Sequence, residues 1–234
     1  MKLLALDTST ERMSLAITRH AGAAAPRVWQ HQAAGGALAS THLVPAIRHL
    51  LQKADLSLAQ LDAIAFGRGP GSFTGLRTAC AVAQGLALGS GVPLLPVDTL
   101  LTLAEQARHD VGAERVVATL DARMDQIYAA HWRWHGQHWH ETMAARLTSP
   151  EALGIDAGWW LAGNAQQVYG ARLQVSGSSL DLLPDAVAML RLAPSLLAQG
   201  LSVDAAHAHP LYIRDKVAQT TEERLAAKAA LHIT

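Results

Sequence analysis

The glycine-punctuated segment Phe66-Gly-Arg-Gly-Pro-Gly-Ser-Phe-Thr-Gly-Leu-Arg77, with the uncharged stretch Thr78 to Val97 behind it, constrains this chain more than any other feature. It leads from a strand pattern, Leu61 to Phe66, into a helix expected from Thr74 to Leu88. After Arg77 the next formal charge is Asp98. A helix that is apolar on every side has to be covered on every side. One side can lie on its own sheet, and the other then needs a second polypeptide. The loop residues Gly67, Arg68, Gly69, Pro70, Gly71 and Ser72 precede a helix N-terminus, where backbone N–H groups can hold an anion. Two common nucleotide fingerprints fail here, however. Gly75 is followed by Leu76 where a Walker loop needs lysine, and Thr74 occupies the third glycine position of the dinucleotide motif. A packing and docking role is therefore preferred to a phosphate cradle, with Ser72 or Thr74 as the helix cap.

Charge excludes some partners. Lys+Arg and Asp+Glu both number 19, so no global field draws the chain to nucleic acid. With 50% hydrophobic and 16% charged residues the chain has the composition of a folded soluble protein, which argues against disorder. The uncharged stretch is broken by Gly89, Gly91, Pro93 and Pro96, which argues against a membrane span. The single cysteine, Cys80, lies among Ala79, Ala81 and Val82 and reads as a core residue. A cytoplasmic location is expected, with no signal peptide ahead of Asp7.

The chain contains a repeat of layout. Lys2-Leu-Leu-Ala-Leu-Asp7 runs through a polar turn into a returning strand, Met13 to Thr18. Arg115-Val-Val-Ala-Thr-Leu-Asp121 does the same before a strand from Gln126 to Trp134. This predicts two related α/β lobes around a cleft, residues 1–108 and 109–205, followed by an extended segment and tail, 206–234. A strand is expected over Arg27 to Gln32 and another over Val92 to Val97. A helix is expected over Thr41 to Ala54, with Pro45 in its first turn, and others over Asp98 to Arg108, with Asp98 or Thr99 available as the cap, and Pro184 to Gln199.

The chemistry offered is sparse. Asp7, Thr8, Ser9 and Thr10 form a turn that either holds Mg²⁺ and phosphates or satisfies its own backbone. Asp121, with Arg123 beside it, mirrors that turn across the cleft. The chain has 12 histidines, and several cluster between His131 and His140. Gly136-Gln137 suits a two-residue hairpin, which pairs Trp134 with Trp139 and His135 with His138. His131 and His135 are then about 13 Å apart along a strand, too far for one metal ion. The histidines are expected on a solvated face over a tryptophan-lined core. No catalytic residue and no metal site is assigned.

Five stretches together resemble the TsaB (YeaZ) family of bacterial tRNA threonylcarbamoyladenosine biosynthesis proteins. They are Leu4 to Glu11, Gly67 to Arg77, Ala83 to Gly89, Leu120 to Met124 with Tyr128, and Pro210 to Arg214. The resemblance implies a two-lobed, actin-like (ASKHA, ribonuclease H-like) α/β fold with mixed sheets and flanking helices. It implies a non-catalytic partner in forming N6-threonylcarbamoyladenosine in tRNAs that read codons starting with adenine. The catalytic paralogue TsaD and the ATPase TsaE would be its partners, with a homodimer when it is alone and tRNA met only through the complex. TsaD carries a His-x-x-x-His metal pair, and the corresponding positions here are Thr99 and Leu103. The first turn lacks the phosphate-loop glycine of actin-like ATPases, and Leu161-Ala-Gly-Asn164 offers one adenosine-loop glycine, Gly163. No resident cofactor is expected, while weak ATP or ADP binding in the cleft or at the complex interface stays open. The competing readings are an autonomous ATP-dependent actin-like kinase and a metallopeptidase-like protein. Leu43, Ile47 and Leu50, with Gly75, Leu76, Ala79, Ala83 and Leu86, are the expected partner face. Arginine at Gly75 or Ala79 is expected to block the partner without unfolding the chain.

Overall fold

The structure is a computed structural model, and it describes residues 1–20, 25–174 and 177–214. The tail expected beyond residue 214 lies outside the described residues.

Alternation along the first strand sets the architecture. In β1 (Lys2–Asp7), Leu3 and Ala5 point to one face and Leu4 and Leu6 to the other, and all four are buried. A strand buried on both faces sits in the middle of a layered sheet. Around it lie β2 (Arg12–Arg19), β3 (Arg27–Ala34), β4 (Ala63–Gly69) and β5 (Leu94–Asp98), in the order β3-β2-β1-β4-β5. The β1–β2 and β2–β3 pairs are antiparallel, and β1–β4 and β4–β5 are parallel.

The second sheet repeats this plan. It contains β6 (Arg115–Asp121), β7 (Ile127–Trp134), β8 (Trp139–Thr148), β9 (Trp160–Gly163) and β10 (Ser179–Leu180), in the order β10-β9-β6-β7-β8. Again a central strand has an antiparallel hairpin on one side and parallel strands on the other. This is the duplicated, mixed α/β arrangement that the repeated strand–Asp–turn pattern pointed to, and that the family resemblance implied as an actin-like fold. Leu161 to Gly163, read as part of a loop from sequence, belongs to strand β9.

Helices α1 (Ala39–Ala54) and α2 (Phe73–Ser90) cover the outer face of the first sheet, against Leu4, Leu6, Leu15 and Ile17. A 3₁₀ turn, Gly36–Leu38, leads into α1, so the helix begins earlier than expected and Pro45 lies inside it. Helices α3 (Thr99–Val111) and α5 (Ala186–Ala198) pack between the two sheets in one continuous core. That core runs from Leu3 and Val97 through Leu103 and Met189 to Val116 and Leu120. On the far face of the second sheet only the short α4 (Ala165–Tyr169) and surrounding loops cover Val117, Ala129 and Leu161. Among the described residues no helix is long and apolar enough to cross a membrane.

The hairpin register is as expected: Trp134 pairs with Trp139, and the His135 N–H donates to the His138 carbonyl at 3.0 Å. Trp132 and Trp139 face the shared core. His131 departs from the expected solvated face, because its ring is buried against Trp159 at 5.4 Å. The second sheet keeps a small core on that side, and burial lowers the His131 pKa.

Asp98 caps α3 as its position predicted, its Oδ1 accepting from the N–H groups of Leu100 and Leu101 at 2.8 and 3.1 Å. Burial pushes this carboxyl up from 3.8 to about 6, against the pull of the cap bonds and of Arg68. A carboxyl raised in the folded state favours folding when protonated. Its stabilising contribution is therefore full below the unfolded value and is lost as pH rises from about 4 to about 6. Asp98→Asn keeps the cap acceptor and should remove that slope, a difference on the order of 2 kcal/mol. Urea midpoints measured from pH 4 to 7 check this. Burial raises Asp7 in the same direction, so a weaker slope should persist in the variant.

Candidate functional site

The two polar turns are brought together, but they are not equivalent. The β1–β2 turn is closed from above by the loop between β4 and α2. Asp7 is 0% exposed, and its Oδ1 accepts from the Ser9 N–H at 2.9 Å and the Ser9 hydroxyl at 2.6 Å. Its Oδ2 is buried with no hydrogen-bond partner, and burial raises the carboxyl pKa. A Cβ at Gly67 would lie 1.9 Å from that oxygen. The backbone at Gly67 thus occupies the side from which a cation would approach. Thr8 is equally committed, its hydroxyl donating to the Gly75 carbonyl at 2.7 Å.

The helix N-terminus is also occupied from within. The Ser72 N–H donates to the Ser9 carbonyl at 2.7 Å, and the Ser72 hydroxyl accepts from the Gly75 N–H at 3.5 Å. Gly71 and Gly75 therefore let two backbones touch, and Gly67 lets the Asp7 side chain lie against the chain, rather than cradle a ligand.

The second turn has a different construction. Arg123, Met124 and Asp125 all have left-handed backbone, with φ of 62°, 55° and 55°. Non-glycine residues persist there only when their surroundings hold them. Asp121 Oδ1 accepts from the Arg123 N–H and the Tyr169 hydroxyl, each at 2.8 Å. Asn164 Oδ1 accepts from the Asp121 N–H at 2.8 Å, and Arg172 pairs with Asp125 at 2.7 Å. Burial and the Asp121 carboxylate push the Tyr169 hydroxyl up to about 12.

A cleft of about 400 Å³ remains between the turns, lined by Ser9, Thr10, Gly71, Asp121, Arg123 and Asn164 among others. Asp7 does not line it, so the expected pair of carboxylates facing one cleft is not formed. Sequence reading missed the strap across its mouth. The Leu211 N–H donates to the Arg68 carbonyl at 2.6 Å, and Arg214 reaches the carbonyls of Ala122 and Arg123 at 2.9 and 3.2 Å. Tyr212 lies against Phe73 at 5.3 Å, and Arg77 donates to its hydroxyl at 3.1 Å. Pro210 to Arg214 was visible as a motif, but nothing local says where an extended segment lands.

The expected partner face is corrected by the structure. Leu43, Ile47, Leu50, Gly75, Leu76, Ala79 and Ala83 are buried against the chain's own core, and only Leu86 is half-exposed. An arginine at Gly75 or Ala79 would break the monomer rather than spare it. The outward side of α2 carries Ala81, Gly85, Gly89 and Leu88, the last 78% exposed, and α1 presents Val44. An all-round apolar helix gave no polar side by which to tell outside from inside.

Thr99 and Leu103 are both fully buried on α3, and Thr99 Oγ1 has no partner. Among the described residues, no group of three or more His, Cys, Asp or Glu side chains could hold a metal ion. His135 is close to His138 and His140, at 6.1 and 5.9 Å between rings.

Comparison with known proteins follows this geometry. Residues 37–222 match the family model described as TsaD, tRNA N6-adenosine threonylcarbamoyltransferase. The chain is 34% identical to the tRNA threonylcarbamoyladenosine biosynthesis protein TsaB of Escherichia coli (strain K12), over 93% of this chain and 96% of that one. It is 33% identical to the TsaB of Haemophilus influenzae, over 93% and 95% of the two chains. The solved structure of YeaZ from Pseudomonas aeruginosa superposes with a TM-score of 0.82 at 40% identity, covering 90% of this chain and 99% of that one.

Proposed function

This chain belongs to the TsaB (YeaZ) family of tRNA threonylcarbamoyladenosine biosynthesis proteins, and from that premise we propose that it is a non-catalytic subunit of the modifying complex. In this reading a TsaD-type paralogue moves the threonylcarbamoyl group to tRNA, and a TsaE-type ATPase joins the pair. The present chain holds the paralogue in a productive arrangement, and tRNA is met through the complex. The observation that carries the proposal is the sealed first turn. Asp7, the residue that a phosphotransferase would present to Mg²⁺, is fully buried behind Gly67. Thr99 and Leu103, at the positions of the paralogue's metal pair, offer no imidazole. Both absences of ligand chemistry favour a scaffold over the kinase and metallopeptidase readings.

The partner surface in this reading is the outward side of α2, around Ala81, Gly85 and Leu88, with Val44 of α1. Small residues there let another helix approach closely, and an exposed leucine has apolar surface to bury. The same face serves a homodimer when the chain is alone.

Reconstituted threonylcarbamoyl transfer tests this. Omitting the chain should remove product. Asp7→Asn, which keeps an acceptor for Ser9, should keep the rate within about twofold. Leu88→Arg, at an exposed position, should lose the complex and the product while the monomer melts unchanged. An Asp7→Asn chain that folds and joins the complex yet gives no product would assign catalysis to this subunit.

A further inference from the structure

A second cavity, of about 530 Å³, opens on another side of the molecule, between the tip of the β7–β8 hairpin, the start of α3 and the end of α5. It exceeds the inter-turn cleft and falls in the size range of small-molecule sites. One wall is aromatic: Trp132, Trp134 and Trp139, with the last two edge-on at 5.4 Å and the Arg108 guanidinium over the Trp134 ring at 4.3 Å, which leaves Trp132 and Trp139 to meet a ligand ring. Leu192, Leu196 and Val203 line the apolar remainder.

The charged groups of the lining are unevenly matched. Three guanidiniums (Arg68, Arg108 and Arg191) meet two carboxylates (Asp98 and Glu105). Glu105 is mostly engaged, because Arg108 takes both its oxygens at 2.9 and 2.8 Å and the Trp139 indole N–H adds a third bond at 3.0 Å. Asp98 Oδ1 is spent on the α3 cap. Arg191 is left with a 3.5 Å ionic contact to Glu105, and its Nε has no hydrogen-bond partner. Burial lowers its pKa, against the pull of the Glu105, Asp185 and Asp110 carboxylates. Arg68 Nε and the Trp132 indole N–H are also without acceptors. A half-buried guanidinium with a spare donor recognises carboxylate or phosphate, and tryptophan faces recognise flat rings.

We propose that this cavity is a binding site for a small organic anion, its planar ring against the tryptophan wall and its carboxylate or phosphate paired with Arg191. The site is independent of the proposed role in tRNA modification.

Calorimetric titration of the isolated full chain with two probes, AMP and indole-3-acetate, tests it. At least one should bind saturably with Kd below about 1 mM, and the tighter of the two identifies phosphate or carboxylate as the preferred group. Adenosine alone and inorganic phosphate alone should each bind at least about tenfold more weakly than AMP where AMP is the ligand. Arg191→Gln should weaken binding about tenfold or more. Ser195→Phe fills the cavity from a half-exposed position on α5 without removing a charge, and it should abolish binding with an unchanged melting profile. If Arg191→Gln fails to fold, Ser195→Phe decides alone. Two results overturn the proposal: neither ring acid saturating up to about 5 mM, or affinity unchanged in a folded Ser195→Phe chain.

Discussion

Gly75→Ala is expected to destabilise the chain by about 3 kcal/mol or more, although alanine is the better helix former by about 1 kcal/mol. The opposition between these two effects makes the experiment informative. At Gly75 an added Cβ would lie 1.8 Å from the Thr8 carbonyl oxygen, a backbone atom that no rotamer change can move. Helix α2 would have to withdraw from the β1–β2 turn. That withdrawal would break the bond from the Thr8 hydroxyl to the Gly75 carbonyl and the bond from the Ser72 N–H to the Ser9 carbonyl. The same helix supplies its own control. At Gly85 an added Cβ meets nothing within 4 Å, so Gly85→Ala should stabilise by about 0.5–1 kcal/mol. Urea unfolding of the two variants side by side reads opposite signs if contact geometry governs. Two stabilising substitutions would mean that α2 does not sit against the turn.

Glu105→Ala should cost about 3–5 kcal/mol, the loss typical of stranding a buried charge. The Glu105 side chain is 2% exposed and joins three elements: Arg108 on its own helix, Trp139 on the hairpin and Arg191 on α5. Removing it leaves two arginines facing one another and an indole N–H without an acceptor. The damage should be partly reversed by removing the stranded cation as well. In a double-mutant cycle, Arg191→Met should recover about 1–2 kcal/mol in the Glu105→Ala background. A Glu105→Ala chain with wild-type stability would show that this joint does not hold the two sheets together.

These two positions also show how far sequence reading reached. The duplicated strand–Asp–turn layout, the Asp98 cap and the Gly136-Gln137 hairpin were legible because each depends on residues close together in the chain. Glu105 and Arg108 were invisible as a joint, since an i, i+3 acid–base pair on a helix reads as an ordinary surface pair. The hairpin's Trp139 and α5, both arriving from much later in the chain, bury it between the same two sheets. The second-lobe turn follows the same rule. Asp121 could be named from its strand, but Asn164 and Tyr169, which hold it, come from the two ends of α4, and Arg214, which binds the carbonyls of the turn, comes from the extended segment after α5.

Helix α2 marks the division most clearly. That it would need cover on all sides followed from composition alone, because an uncharged helix has no side that water prefers. Which side faced its own sheet could not follow, since such a helix carries no polar stripe to orient it. The close approaches at Gly67 and Gly75 decided the matter, setting Ala79 and Ala83 inward and Ala81, Gly85 and Leu88 outward. They also sealed Asp7, turning a residue that reads as a phosphate ligand into a buried support. Local chemistry determined most of the elements that form. Long-range contact between backbones determined which polar groups remained open to do chemistry.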